Sequence, residues 1–372
     1  MLELTEPYLQ KAWETSGYNK FTPIQEKTFP IITEGKDIIA ESPTGSGKTL
    51  AYLLPLIKQI DTNLKNAQVL ILAPSHELVM QINQELQSWT KDSGILSATL
   101  IGGANVKRQI EKLKKKPQII IGSPGRVAEL VKIKKLKLHQ IKTVVLDEVD
   151  QLLIPEHQNT IVEIVKSTPK ERQLLAFSAT LPDTIETQVE KWMNKPELIR
   201  VNKMDMDIPE VEHMYLVSEA RDKIETLRKI IRILDRKALV FFRDIANLTV
   251  MAEKLEYKGI KTSAIHRDQK KQDRERAIKQ FRGGDAQVLL ATDVAARGLD
   301  IKDLEYVIHM DVPLDATQYT HRSGRTGRLG SDGGTVISIV TSGEAKVLKK
   351  FGREVKVDLI EKNIYKGKII NK

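Results

Sequence analysis

Residues 37–50 read DIIAESPTGSGKTL, and the reading of this stretch decides the fold. A β-branched run, DIIAE (37–41), passes into a loop of small residues and then, from Lys48, into a helical pattern. Gly45 and Gly47 carry no Cβ, so backbone N–H groups there can approach phosphate oxygens. Lys48 can reach the β- and γ-phosphates of a nucleotide, and the Thr49 hydroxyl can ligate Mg²⁺, both at the positive end of the helix. A general P-loop also has a glycine six residues before its lysine, where this chain has Ser42. The competing reading is a flexible turn with chance glycines. Strand, loop and helix in that order favour the phosphate site.

Outward from this unit the same grammar repeats. Apolar runs recur at VLILAP (69–74), IIIGSP (119–124), TVVLDE (143–148) and LLAFSAT (174–180), then at ALVFF (238–242), VLLATD (288–293), YVIHMD (306–311) and GTVISIVT (334–341). Helical patterns such as Glu77–Trp89 and Asp273–Phe281 separate them, which is the alternation of parallel sheets wound with helices. Gly-rich or charged clusters follow the carboxyl ends of these runs, the edge where open α/β sheets bind ligands. That regularity favours one composite site over unrelated surface loops. The segment VNKMDMDIPEVEH (201–213) is polar, contains Pro209 and lacks a period. The expectation is an α/β chain of two domains, 1–204 and 213–372, joined by a short linker at 205–212, with no appended module after about residue 350.

Bulk composition agrees. A chain of 372 residues exceeds one ordinary core. With 41% hydrophobic and 29% charged residues it falls among soluble globular proteins. The absence of cysteine excludes disulfides, thiolate nucleophiles and cysteine-ligated zinc. The N-terminal MLELTEPYLQKAWE carries early acids and does not read as a secretory signal, and no apolar run reaches bilayer length. The net charge of +10 suggests a polyanionic partner, most simply nucleic acid. Part of the excess lies in residues 345–372, where nine Lys/Arg meet three acids. A merely solubilising face reads equally well there.

Two further stretches carry chemistry. TVVLDEVDQLL (143–153) ends an apolar run in Asp147, Glu148, Val149 and Asp150. A carboxylate there can hold Mg²⁺ through water, and its neighbour can orient and deprotonate an attacking water. An acid-decorated helix start is the bland alternative. HRSGRTGR (321–328) spaces three arginines with glycines and hydroxyls, poor material for helix or strand but able to present guanidinium forks to phosphate oxygens. It reads either as a purely RNA-contacting loop or as arginines brought to a nucleotide when two domains close.

In this order, from about Tyr18 to about Arg328, the motifs resemble those of the DEAD-box ATP-dependent RNA helicases of superfamily 2. GYNKFTPIQ (17–25) resembles the Q motif, SPTGSGKT (42–49) motif I, and Asp147 to Asp150 the box itself, written with Val149. PSHELV (74–79), Gly102-Gly103 and SPGR (123–126) resemble the RNA-contacting motifs of the first domain. SAT (178–180), TDVAARGLD (292–300) and HRSGRTGR resemble motifs III, V and VI. The family also lacks the first P-loop glycine, which accounts for Ser42.

The resemblance implies two RecA-like domains, each a mostly parallel sheet flanked by helices, with ATP and Mg²⁺ as cofactors. It implies catalysis by Lys48, Thr49, Asp147, Glu148, Arg325 and Arg328, with Thr49 and Asp147 at the metal, the latter through water. Coupling would fall to Asp150, Ser178, Thr180 and His321. ATP would be bound by Tyr18, stacking on the base, Gln25, reading its edge, and Lys20, Ser42, Thr44, Gly45, Ser46, Gly47, Lys48, Thr49, Gly298 and Asp300. RNA would be held through its sugar-phosphate backbone by Pro74, His76, Gly103, Pro124, Gly125, Arg126, Arg274, Thr292 and Arg297.

The chain departs from the family pattern at His76 and Lys271, where arginine and glutamine are usual, and at Ser323, usually apolar. His76 would weaken one backbone contact or make it pH-sensitive. Trp13, Trp89 and Trp192 lie in helical patterns and read as packing residues rather than stacking platforms. The implied function is unwinding of short RNA duplexes or remodelling of RNA–protein complexes by a cytoplasmic monomer without a membrane partner. Ribosomal RNA or pre-ribosomal particles, and work in the cold, are family-level expectations. An ATP-gated RNA clamp that does not unwind is the first rival, and a DNA-directed translocase the second.

Overall fold

The computed structural model describes residues 4–202, 205–206, 209–296, 304–327 and 331–372. The chain divides into two units, Met1–Met206 and Asp207–Lys372. In the first, seven strands form one sheet: β1 (Ile38–Glu41), β2 (Val69–Leu72), β3 (Ser97–Leu100), β4 (Ile119–Gly122), β5 (Thr143–Asp147), β6 (Gln173–Ser178) and β7 (Glu197–Arg200). Their order is β3-β4-β2-β5-β6-β1-β7, and every pairing is parallel. The second unit holds β8 (Val211–Val217), β9 (Ala238–Phe242), β10 (Thr262–Ile265), β11 (Val288–Thr292), β12 (Tyr306–His309), β13 (Gly334–Val340), β14 (Leu359–Tyr365) and β15 (Lys368–Asn371). Here the order is β10-β11-β9-β12-β13-β8-β14-β15, parallel except for the terminal β14–β15 hairpin.

Central strands are buried on both faces, which is why they read as continuous apolar runs. β2 and β4 are buried at every position. The strands absent from the sequence reading lie toward or at sheet edges. β7 buries only Ile199, β10 is the short TSAI, and β14 and β15 alternate with lysines and other polar residues. β8 reaches into the expected linker: Val211 and Glu212 already pair with Gly334 and Thr335. The helices anticipated at Glu77–Trp89 and Asp273–Phe281 span His76–Trp89 and Lys271–Gly283. Among the described residues no helix is long and apolar enough to cross a membrane.

The core of the first unit runs up to the acidic box. β5 ends at Asp147, and a single helical turn, Val149–Leu152, follows at once. That turn sends the Val149 side chain into a core shared with Leu146, Leu152, Leu174 and Val189, where it is fully buried. The two methyl groups that distinguish valine from alanine therefore face apolar neighbours. Val149→Ala should cost about 1–3 kcal/mol of stability through lost burial and a residual cavity, measured by urea denaturation. The nucleotide hydrolysis that the resemblance implies would need none of its atoms and should stay near wild type.

Candidate active site

The helix Lys48–Gln59 starts from Gly47, whose φ of +90° is a left-handed conformation that suits glycine. A Cβ there would lie 2.6 Å from Nε2 of Gln25, so any larger residue would also displace the end of that side chain. Gln25 donates from Nε2 to the Gly47 carbonyl (3.2 Å) and accepts the Thr22 N–H at Oε1 (2.9 Å). The residue expected to read the base edge thus braces the phosphate loop. Lys48 donates its ammonium to the carbonyls of Ser42 (2.6 Å) and Pro43 (2.8 Å), within the loop. Ser42 and Ser46 are fully buried, and their hydroxyls have no hydrogen-bond partner among the described residues. Thr44, Gly45 and Thr49 are half-buried around them.

Asp147 is buried, with both carboxylate oxygens occupied. Tyr52 donates its hydroxyl to Oδ2 (2.9 Å), and the Glu148 N–H reaches Oδ1 (3.0 Å). Burial, and secondarily the Glu148 charge, push the Asp147 carboxyl up to about 6, against the pull of Tyr52 and Lys48. Glu148 adopts φ +52°, a strained conformation for a non-glycine residue and one found at functional turns. Asp150 is buried and accepts the Ser178 hydroxyl at Oδ1 (2.5 Å) and the Thr180 hydroxyl at Oδ2 (3.3 Å). Three of the four residues expected to couple the sites therefore meet within the first unit.

Thr49 and Asp147 offer hard oxygen donors, and burial leaves the Asp147 carboxylate wanting a cation, so the pair fits Mg²⁺. That ion commonly binds through one or two protein oxygens plus substrate phosphates and water. Accordingly, a dense ligand cage is not needed, and none of three or more His, Cys, Asp or Glu occurs among the described residues.

Tyr18 is 45% exposed, and its ring lies parallel to that of Trp89, 6.4 Å between centroids. Trp13 and Phe21 complete the cluster, with rings 4.4 Å apart. Trp89 is buried, and Trp192 packs partly buried against the core. Lys20 is exposed beside this cluster in sequence.

The residues expected at RNA gather after β2, β3 and β4. Pro74 precedes the helix His76–Trp89, capped by the Ser75 hydroxyl, which accepts the Leu78 N–H (3.1 Å). His76 lies against Gly102, where an added Cβ would come within 3.3 Å of its Nε2. Gly103 has φ +68° and open space around it. Pro124, Gly125 and Arg126 form the first turn of the helix Pro124–Lys132. Arg126, expected to hold RNA, is engaged within this unit. It is 7% exposed, pairs with Glu129 (2.8 Å) and donates to the Ala104 carbonyl (3.1 Å), so it braces the glycine loop.

In the second unit, Thr292 ends β11 and is buried, and Arg274 donates to the Ala295 carbonyl (3.3 Å) just beyond it. His321 lies in the helix Ala316–Ser323, with Arg325 in the turn that follows, donating from Nε to the His321 carbonyl (3.4 Å). Ser323 is buried, and Lys271 opens the helix Lys271–Gly283. Arg297, Gly298, Asp300 and Arg328 lie outside the described residues. Sequence reasoning left Arg322 without a role. It is 2% exposed, forms a bidentate pair with Asp293 (2.6 and 2.7 Å) and donates to the Asp311 carbonyl (2.7 Å). Tyr52 was likewise missed. The TxxY spacing after Lys48 was its available signal, since it puts Tyr52 one turn beyond Thr49.

Comparison with known proteins follows the same course. Residues 22–188 match the DEAD/DEAH box helicase family, and residues 222–330 the helicase conserved C-terminal domain. The probable ATP-dependent RNA helicase YfmL of Bacillus subtilis (strain 168) is 50% identical over 371 residues, covering 100% of this chain and 98% of that protein. The DEAD-box ATP-dependent RNA helicase CshC of Bacillus cereus is 45% identical over 370 residues, covering 100% of this chain and 95% of its own. S. cerevisiae Dbp5 bound to RNA and ADP BeF3 superposes with a TM-score of 0.88 at 28% identity, covering 96% of this chain and 93% of that one.

A carboxyl held at about 6 instead of 3.8 makes its ionised form costlier by roughly 3 kcal/mol. The folded chain binds this proton more tightly than the unfolded chain, so stability declines as pH rises from 3.8 to about 6, and the full cost is present above that window. Asp147→Asn should therefore stabilise the nucleotide-free protein at pH 8 by up to about 3 kcal/mol. That gain should disappear toward pH 4, as read by urea denaturation across the range.

Proposed function

We propose that this chain, which belongs to the DEAD/DEAH box helicase family, uses ATP to close its two domains on single-stranded RNA. It is an ATP-dependent RNA helicase of the DEAD-box type, and its two units are RecA-like domains. Closure would separate short duplexes or strip RNA–protein contacts, with hydrolysis and phosphate release reopening the molecule. The observation that carries this reading is the assembly, at the ends of β1, β5 and β6, of Lys48, Thr49, Asp147, Glu148, Asp150, Ser178 and Thr180.

Each residue acts through its own chemistry. Lys48, held on the Ser42 and Pro43 carbonyls, would exchange these partners for phosphate oxygens. Thr49 and, through water, Asp147 would hold Mg²⁺, which when bound offsets the charge of the β- and γ-phosphates. Glu148 would orient the attacking water and take its proton. Arg325 and Arg328 would meet the γ-phosphate in the closed state, so that ATP binds that state better than the open one. His321 would join the Asp150–Ser178–Thr180 network there.

Glycine loops and helix starts holding Gly103, Pro124 and Gly125 would contact sugar and phosphate without reading bases, with Arg126 as their brace. RNA and ADP BeF3 bound together in the Dbp5 structure support both halves of the reading. A cytoplasmic monomer acting on ribosomal RNA or its assembly particles is part of the same proposal.

Strand displacement of a short RNA duplex with ATP is the deciding experiment. ATP-dependent release of one strand is expected, whereas RNA retention without displacement would replace the helicase by a clamp. Glu148→Gln should retain ATP binding but slow hydrolysis by about 10²-fold or more, leaving the protein trapped on RNA. Near wild-type turnover in that variant would remove Glu148 from its role.

A further inference from the structure

We infer that Tyr52 is a positioning residue for the metal-holding pair Thr49 and Asp147, setting how tightly the site takes a nucleotide with its magnesium. The inference rests on the reading of the P-loop as an ATP site and adds a residue that this reading does not contain. Tyr52 lies three residues beyond Thr49 on the helix Lys48–Gln59, so both project from the same face. Its side chain is fully buried, and its ring packs against Phe177 of β6 with centroids 5.3 Å apart. From that fixed ring the hydroxyl donates to Oδ2 of Asp147 at 2.9 Å. Thr49 projects one turn earlier on the same helix face, so the phenol lies one turn from one of the groups assigned to the metal and bonds the other.

A buried phenol must find a partner, so packing alone could place a tyrosine here with its hydroxyl merely satisfied. The position of the partner argues for more. The Glu148 N–H fixes only Oδ1 of Asp147, which leaves the carboxylate plane free to turn about that contact. Donation from Tyr52 to Oδ2 removes this freedom, because the ring itself is held by Phe177. The hydroxyl thereby ties the end of β5 to the P-loop helix one turn beyond Thr49, the two elements that would keep a constant separation around one ion. Phenylalanine would keep the ring packing and lose only this tie.

The test compares wild type, Tyr52→Phe, Asp147→Asn and the double variant, all as full chains. The readout is binding of a fluorescent ADP analogue, once with Mg²⁺ and once with EDTA. Tyr52→Phe removes one oxygen without opening a cavity and should fold, which its melting temperature verifies. The expected result is a loss of about three- to tenfold in affinity with Mg²⁺, a raised Mg²⁺ concentration for half-maximal binding, and unchanged affinity in EDTA. In the Asp147→Asn background the same substitution should have no further effect on Mg²⁺ dependence. Equal losses with and without Mg²⁺, or a lowered melting temperature with unaltered Mg²⁺ dependence, would make Tyr52 a packing residue and overturn the inference. If the wild type itself binds the analogue in neither condition, the ATP-site reading fails first and takes this inference with it.

Discussion

Ser178 holds the first domain's functional edge together. β6 lies between β1 and β5, and its last residue serves both neighbours. The Ser178 carbonyl accepts the N–H of Ser42 at the mouth of the phosphate loop (3.1 Å), and its hydroxyl donates to Asp150 in the acidic box (2.5 Å). A second tie runs alongside. Glu41, at the end of β1, accepts the Leu181 N–H just past the SAT triplet (3.1 Å) and pairs with Arg200 (3.2 Å). The SAT loop is therefore bracketed by the strand that leads into the P-loop. A change in the loop's hydrogen bonds need not travel through the core to reach Thr180, because backbone and hydroxyl contacts connect them directly.

Around this junction the chain accepts local cost. Asp147 keeps a carboxyl where burial disfavours its charge, and Glu148 holds a backbone conformation suited to glycine. Neither serves stability. Both make sense at the proposed site, where a carboxylate would stay close to a cation and its neighbour would face substrate. The costs are offset nearby: Val149, Leu152 and Leu146 bury fully beneath the box, and the parallel strands β5 and β6 register residue by residue up to Asp147 and Phe177.

The sequence disclosed this edge because turn chemistry at strand ends is local. Small residues after an apolar run, a Lys-Thr pair at a helix start and acids after VVL each report their own backbone. What stayed hidden depends on tertiary surroundings. Arg126 and Arg322 read as charges among glycines, yet both are buried, paired with Glu129 and Asp293. Nothing in the local sequence says that Asp293 will claim Arg322 or that the Ala104 carbonyl will take Arg126. Tyr52 reads as one more apolar helix position until Asp147, 95 residues later, is seen to take its hydroxyl. The edge strands β7 and β15, and β14 next to the edge, escaped for a different reason. One exposed side interrupts the continuous apolar pattern by which the central strands were recognised.

The arginine loop of the second domain shows how identity and spacing alone leave a role unassigned. Of the described arginines in HRSGRTGR, Arg322 lies within the helix Ala316–Ser323, and its fork closes on Asp293, at the end of β11. That bidentate pair fixes the helix to the neighbouring loop. Thr326 then donates to the carbonyls of Leu304 (2.6 Å) and Glu305 (3.0 Å), securing the far side of the turn. Gly327, at φ +60°, leaves no space for a Cβ, which would lie 2.1 Å from Cγ2 of Val211 at the start of β8. Arg325 is thus held between two anchored points of a turn whose backbone has little freedom. A guanidinium presented this way loses less conformational entropy on meeting a phosphate than one on a free loop. The anchoring residues, rather than the count of arginines, are what would equip the loop for the phosphate contact proposed for Arg325.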